Sequence, residues 1–249
     1  MTILVTGGLG LLGRTLQRIE AFEDAVYVGR AVCDVRDPAA LQRVFQAHDI
    51  DTVVHAAALT DHQCADGAAL IATNVLGTYY VAKFARAWGA RLVYLSTHYV
   101  YPGERGDYAE WEAGPAIGAY ATSKLAGEAF ALELGRDALV VRGSWYDYAS
   151  RLAGWAARGA LTDAWVSRER VTDAAHKLAR LVRGGASGIY NIGGPRRTFS
   201  DICFDEGVGA PPLTRAQLDA QGRVAYAFPR DVSVNTAKYD AWAREHSHA

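Results

Sequence analysis

The chain has 249 residues, half of them apolar, with 26 basic and 27 acidic side chains and a formal net charge of −1. That length accommodates one α/β unit or one with a smaller appendage, and the balanced charge leaves no electrostatic footprint for nucleic acid or an anionic membrane. Cys33, Cys64 and Cys203 are odd in number and far apart, which argues against a disulfide framework and against a zinc site, so no metal is expected.

In chain order, Ile3–Val5 is a short apolar run suited to a buried parallel strand, and Gly7, Gly10 and Gly13 follow it ahead of a helix-like stretch from Leu11 to Ile19. Such a turn brings backbone N–H groups and a helix N-terminus up to a pyrophosphate only where side chains are missing at the points of approach. Further strands are predicted at Ala25–Val28, Thr52–His55, Arg91–Leu95, Ala138–Val141 and Gly188–Ile192. Between them, Ala39–Ala47 and Gly77–Trp88 carry apolar residues at three- and four-residue spacing and read as crossover helices. Tyr120–Leu134 is predicted as the longest helix, with Gly135 as its C-cap, and Val171–Val182 as another. This alternation predicts an α/β fold, a doubly wound parallel sheet with helices on both faces.

Regularity weakens after Arg142. Residues 1–145 are therefore expected to form the dinucleotide-binding core and 146–249 a smaller mixed lobe that returns strand to the core sheet. Ser200–Gly222, with Gly207, Gly209, Pro211 and Pro212 and no clear period, is predicted to run over the surface. No basic leader precedes the first strand and no apolar run approaches the ~18 residues of a membrane span, so a cytoplasmic protein with small-molecule partners is expected.

Tyr120-Ala-Thr-Ser-Lys124 places a phenol and an ammonium on one helical face, where the cation favours phenolate and readies the tyrosine for proton exchange. The plain alternative is a solvated helix face. Ser96 and Thr97 fall at the end of a predicted strand, where open parallel sheets present ligand-contacting residues; the plain alternative is a strand cap. At the end of the second strand stands Val28-Gly29-Arg30, with no acid to receive a ribose hydroxyl and a guanidinium to meet a 2′-phosphate. NADP(H) is therefore favoured over NAD(H), with a merely solvated Arg30 as the alternative.

Together these segments resemble the extended short-chain dehydrogenase/reductase family over nearly the whole chain, and within it the dTDP-4-dehydrorhamnose reductases. The resemblance rests on Thr6-Gly-Gly-Leu-Gly-Leu-Leu-Gly13, Cys33-Asp34-Val35-Arg36-Asp37, His55-Ala56-Ala57-Ala58, Asn74-Val75-Leu76-Gly77-Thr78 and the Tyr120/Lys124 pair. Ser96-Thr97-His98-Tyr99-Val100, Arg142-Gly143-Ser144-Trp145 and Pro229-Arg230-Asp231-Val232-Ser233 carry the narrower likeness. It implies a Rossmann-like fold with a small C-terminal substrate lobe, and hydride transfer from a reduced nicotinamide to the ketone of a nucleotide-linked deoxysugar. Thr97 would polarise the ketone, Tyr120 donate the proton, and Lys124 hold the nicotinamide ribose and tune Tyr120. Gly7, Gly10, Leu11, Leu12, Gly13, Arg30, Asp34, Val35, Ala56, Ala57 and Ala58, with Tyr120 and Lys124, would hold the cofactor, and Thr60, His98 and Trp145 would meet the sugar nucleotide.

Two departures stand out. His98 occupies a position where these reductases usually carry aspartate; it could add an acid, bind a different sugar, or face away. The interval from Trp145 to Val171 is short, and Asp163–Arg170 replaces the family's substrate turn. A nucleotide-sugar epimerase that keeps its nicotinamide and a non-catalytic nucleotide-binding subunit are the competing readings. A homodimer through the helices flanking the tyrosine stays open.

Overall fold

A computed structural model describes residues 1–60, 66–147, 152–222 and 228–246; Cys64 lies outside them. Six strands form one parallel sheet: β1 (Ile3–Thr6), β2 (Val26–Val28), β3 (Thr52–His55), β4 (Arg91–Thr97), β5 (Arg136–Gly143) and β6 (Gly188–Asn191). Their order is β6-β5-β4-β3-β1-β2, with every neighbouring pair parallel. β1 and β3 are buried at every position because helices cover both faces, which is why they read as unbroken apolar runs.

The faces divide by alternation along each strand. Ile3, Val5, Val54, Val93 and Val141 pack under α1 (Leu11–Leu16), a later helix at Val171–Arg183 and the C-terminal helix Ala237–Glu245. Leu4, Val53, Leu92, Tyr94 and Val140 pack under α2 (Pro38–Ala47), α3 (Gly77–Ala87) and α4 (Gly118–Leu134). Asp37 caps α2 by accepting from Ala39 N at 2.9 Å, with Pro38 at the first helical position where its missing N–H costs nothing. α4 is the longest helix, and the Gly135 N–H closes it on Ala131 O at 2.9 Å.

Beyond shifts of a few residues at element ends, two differences from the sequence reading have a clear physical cause. α1 ends at Leu16, because Arg18 and Ile19 bond back only three residues, to Thr15 and Leu16, and so tighten the last turn. The stretch from Ser200 is not all surface: α6 (Phe199–Asp205), which follows α5 (Val171–Arg183), buries Ile202 and Cys203 against Tyr146, Leu152, Val166 and Val232. Its capping box was legible in the sequence, with Asp201 N bonded to Thr198 Oγ1 at 3.1 Å and Thr198 N to Asp201 Oδ2 at 2.8 Å. Further on, the helix Arg215–Ala220 does lie on the surface, with no buried residue.

Among the described residues no helix is long and apolar enough to cross a membrane, and no cluster of three or more His, Cys, Asp or Glu could hold a metal ion.

Candidate active site

β1 lies between β2 and β3, so the chain order reverses there, and the carboxyl ends of these strands frame a crevice of the kind that binds nucleotides. Gly7 takes φ +68°, and a Cβ there would come within 2.6 Å of Ala57 N, because the turn lies directly against the exit of β3. At Gly13 a Cβ would lie 2.6 Å from Gly8 Cα, so this glycine lets α1 rest on the turn. A Cβ at Gly10 would meet nothing nearer than Gly7 O at 3.2 Å, the mildest contact of the three, and Gly10 opens α1 without a side-chain cap. The protein's own packing thus asks least of the glycine that fronts the helix N-terminus, which suits backbone approach by a pyrophosphate. Leu12 is in the core, Leu11 packs against it, and Ala56, Ala57 and Ala58 are half-buried.

At the far end of β2, Asp34 accepts from Arg30 Nε at 3.2 Å and from Arg36 Nη2 at 2.6 Å. The Arg36 guanidinium holds the Asp34 carboxyl well below the usual carboxylate range. Arg36 is a second cation beside Arg30 that the strand-end argument did not single out; only its spacing from Asp34 could have drawn attention to it. Val35 is buried in the core beneath this corner, against Gly77.

Tyr120 and Lys124 lie on α4, which packs against β4. Lys124 is buried, its Nζ 4.2 Å from the centroid of the Tyr94 ring, while Tyr94 Oη donates to Lys124 O at 3.3 Å. Burial draws the ammonium down to about 7, with Glu128 pushing the other way. Thr97 ends β4, buried, and its hydroxyl receives Tyr99 N at 3.3 Å, so it does cap the turn that follows. Asn74, in a π-helical turn at Ile71–Leu76, donates to Leu59 O and to Ser123 Oγ, both at 2.9 Å, and accepts from Leu59 N at 2.8 Å. Ser123 donates in turn to Tyr120 O at 2.7 Å. Asn74 thereby clamps the exit of β3 to the turn of α4 that carries the tyrosine, a role invisible in a segment read only as the start of a helix.

Of the alternatives open for His98, the geometry favours an inward-facing ring. His98 is fully buried, Nε2 donates to Ile192 O at 2.9 Å, and Nδ1 has no hydrogen-bond partner. Its ring reaches across the end of β5 to the residue that follows β6. Trp145 is half-buried over Gly143, at the end of β5, with its backbone paired to Glu169. Thr60 is exposed at the edge of the described residues. The segment Asp163–Arg170 leads into a separate cavity of about 1160 Å³ lined by Glu169, Lys177, Arg180, Tyr239 and Arg244; Thr97, Tyr120 and Lys124 do not line it.

Two buried histidines make the fold acid-sensitive. His55 accepts from Thr6 Oγ1 at 2.7 Å and lies 3.1 Å from Thr78 Oγ1, whose own hydrogen goes to Asn74 O, so His55 Nε2 is the donor and the ring is neutral. Burial lowers His55 to about 3 and His98 to about 4. Below 6.5 the unfolded chain takes up protons on these rings that the folded chain refuses. Stability is therefore expected to fall from pH 6.5 toward 4, by about 1 kcal/mol per pH unit for each histidine. Urea unfolding midpoints across that window check this; a flat profile would contradict it.

With this geometry in place, comparison with known proteins is decisive. A family model described as the RmlD substrate binding domain matches residues 1–156. A dTDP-4-dehydrorhamnose reductase of Mycobacterium tuberculosis is 32% identical over 245 residues, covering 87% of this chain and 80% of the relative. The chain belongs to the RmlD family. A second RmlD relative, a dTDP-4-dehydrorhamnose reductase of Burkholderia thailandensis, is 30% identical and covers 98% of this chain and 88% of its own length. The RmlD fold is seen in the crystal structure of the Bacillus anthracis dTDP-4-dehydrorhamnose reductase in complex with NADP, with a TM-score of 0.85 at 24% identity over 96% of this chain and 91% of that one. A UDP-glucose 4-epimerase of Thermus thermophilus in complex with NAD shares the same architecture, with a TM-score of 0.80 at 19% identity over 98% of this chain and 93% of that one.

Proposed function

We propose that this RmlD-family chain is a cytoplasmic oxidoreductase that reduces the ketone of a nucleotide-linked deoxysugar, of the dTDP-4-keto type, with NADPH. One observation carries the reading: the helix bearing Tyr120 and Lys124 is clamped by Asn74 to the exit of the strand beside the Gly7–Gly13 turn. Thr97 ends the strand against which that helix packs. Tyr120, Lys124, Thr97 and the glycine turn thus lie at one end of the sheet.

The residues present fit a 2′-phosphorylated dinucleotide. The glycine turn offers backbone N–H groups, Arg30 and Arg36 offer two guanidinium groups at the adenosine end, and Asp34 between them is bound by both. NADPH, when bound, supplies the hydride. The chain's own part is to hold the ketone oxygen by the Thr97 hydroxyl, to deliver a proton from Tyr120 Oη to that oxygen, and to keep a cation at Lys124 beside both. Residues 1–145 would carry this machinery and 146–249 the contacts that choose the sugar, with Trp145 at the boundary.

The epimerase reading uses the same residues but returns the hydride. Stoichiometric oxidation of added NADPH by a dTDP-linked 4-keto-6-deoxyhexose is the expected result. Conversion of the sugar without net NADPH oxidation would establish the epimerase instead.

A further inference from the structure

Glu128 is one turn beyond Lys124 on α4 and is buried. Its carboxylate takes Arg142 Nε at 2.9 Å and Arg142 Nη2 at 2.6 Å, and it also accepts the hydroxyl of Ser96, the neighbour of Thr97. Arg142, itself buried on β5, spends Nη1 on Tyr101 Oη at 3.0 Å and Glu110 O at 2.7 Å. One carboxylate therefore joins three elements: the helix of Tyr120 and Lys124, the strand that ends in Thr97, and the strand that leads to Trp145.

We propose that Glu128 is a positioning residue of this site, fixing the Thr97 strand against the Tyr120–Lys124 helix and holding the charge on Lys124. The inference rests on the ketoreductase reading for its consequence in turnover, not for its physical content. Groups face Lys124 from β3, β4 and α4 and, through Glu128, from β5. β3 gives His55, neutral through burial; β4 gives the Tyr94 ring; α4 gives Tyr120 and Glu128; β5 gives Arg142, through its bond to Glu128. Among these described groups the anion is Glu128. Replacing it by Gln removes that anion and leaves the Arg142 cation uncompensated, and both changes disfavour a second cation at Lys124. The sign of the effect is thus independent of how the field divides between the pair.

The test reads Lys124 directly in the cofactor-free protein. The chain has four lysines, Lys83, Lys124, Lys177 and Lys238, so isotope labelling at Cε gives a countable NMR spectrum in which K124M identifies the signal of interest. In the wild type that signal is expected to titrate near about 7. In E128Q the midpoint should move at least about one pH unit lower, and in E128D, which keeps the charge, it should stay near the wild type. Should E128Q fail to fold, the double variant E128Q/R142M, which leaves no orphaned guanidinium, should still show a downward shift, smaller because the Arg142 cation leaves with the Glu128 anion. The alkaline loss of NADPH affinity should move to lower pH in step. An unchanged midpoint in a folded E128Q or E128Q/R142M would overturn the proposal, and so would an E128D shift as large as that of E128Q. Neither cofactor nor sugar enters the titration, so its outcome is separable from any failure of the ketoreductase assay.

Discussion

Replacing Tyr120 by Phe is expected to lower kcat on a dTDP-linked 4-keto sugar by about 10²- to 10⁴-fold, the range spanned by loss of one positioned general acid. The change deletes one oxygen and keeps the ring. What holds this turn of the helix is the bond from Ser123 to the backbone oxygen of Tyr120, with Asn74 behind it, and neither needs the phenol. Lys124 keeps its seat on the Tyr94 ring. NADPH affinity, followed by fluorescence titration, should therefore be nearly unaffected while turnover collapses. A Y120F variant that turned over at the wild-type rate would mean that the proton comes from elsewhere. A loss of NADPH affinity matching the loss of turnover would make Tyr120 a binding residue.

Replacing Arg142 by Met is expected to be the most damaging single change to stability, about 3–5 kcal/mol, because it strands the Glu128 carboxylate in the interior. The pair is 2% and 4% exposed and bidentate, so no solvent is at hand to take over. For a chain of this length that corresponds to a fall in Tm on the order of 10 °C. The double variant E128Q/R142M should cost less than R142M alone, since no buried charge is then left unpaired, and this non-additivity is the signature of a coupled pair. Thermal and urea unfolding of the three variants measure it. Additive losses would show that Arg142 matters only through Tyr101 and Glu110.

The central strands were legible because both faces are covered, so their sequences become apolar runs between turns. Their ends were less so. β4 and β5 run on past the apolar stretch into Ser96–Thr97 and Arg142–Gly143, where pairing continues while hydrophobicity stops, and these polar ends are where the site begins. Tyr120 and Lys124 could be paired from spacing alone because four residues on a helix share a face. Glu128 and Arg142 could not: they lie 14 positions apart on a helix and a strand, and no local pattern announces that two opposite charges will meet in the interior. The direction of His98 was equally hidden. Strand alternation ends where β4 passes into the turn at His98–Val100, and it is the carbonyl of Ile192, from a distant part of the chain, that fixes the ring. Asn74 was hidden for another reason, since a π-helical turn rotates its amide out of the register that helical periodicity assumes.

The most direct measurement is the fate of deuterium carried at both C4 positions of the NADPH nicotinamide and offered with a dTDP-linked 4-keto-6-deoxyhexose. The account predicts that the label arrives at the new carbinol carbon of the sugar, one per molecule of NADPH oxidised, and that Y120F slows this transfer without weakening NADPH binding. A sugar converted without label while NADPH stays reduced, or no conversion by a chain that binds both ligands, would contradict it.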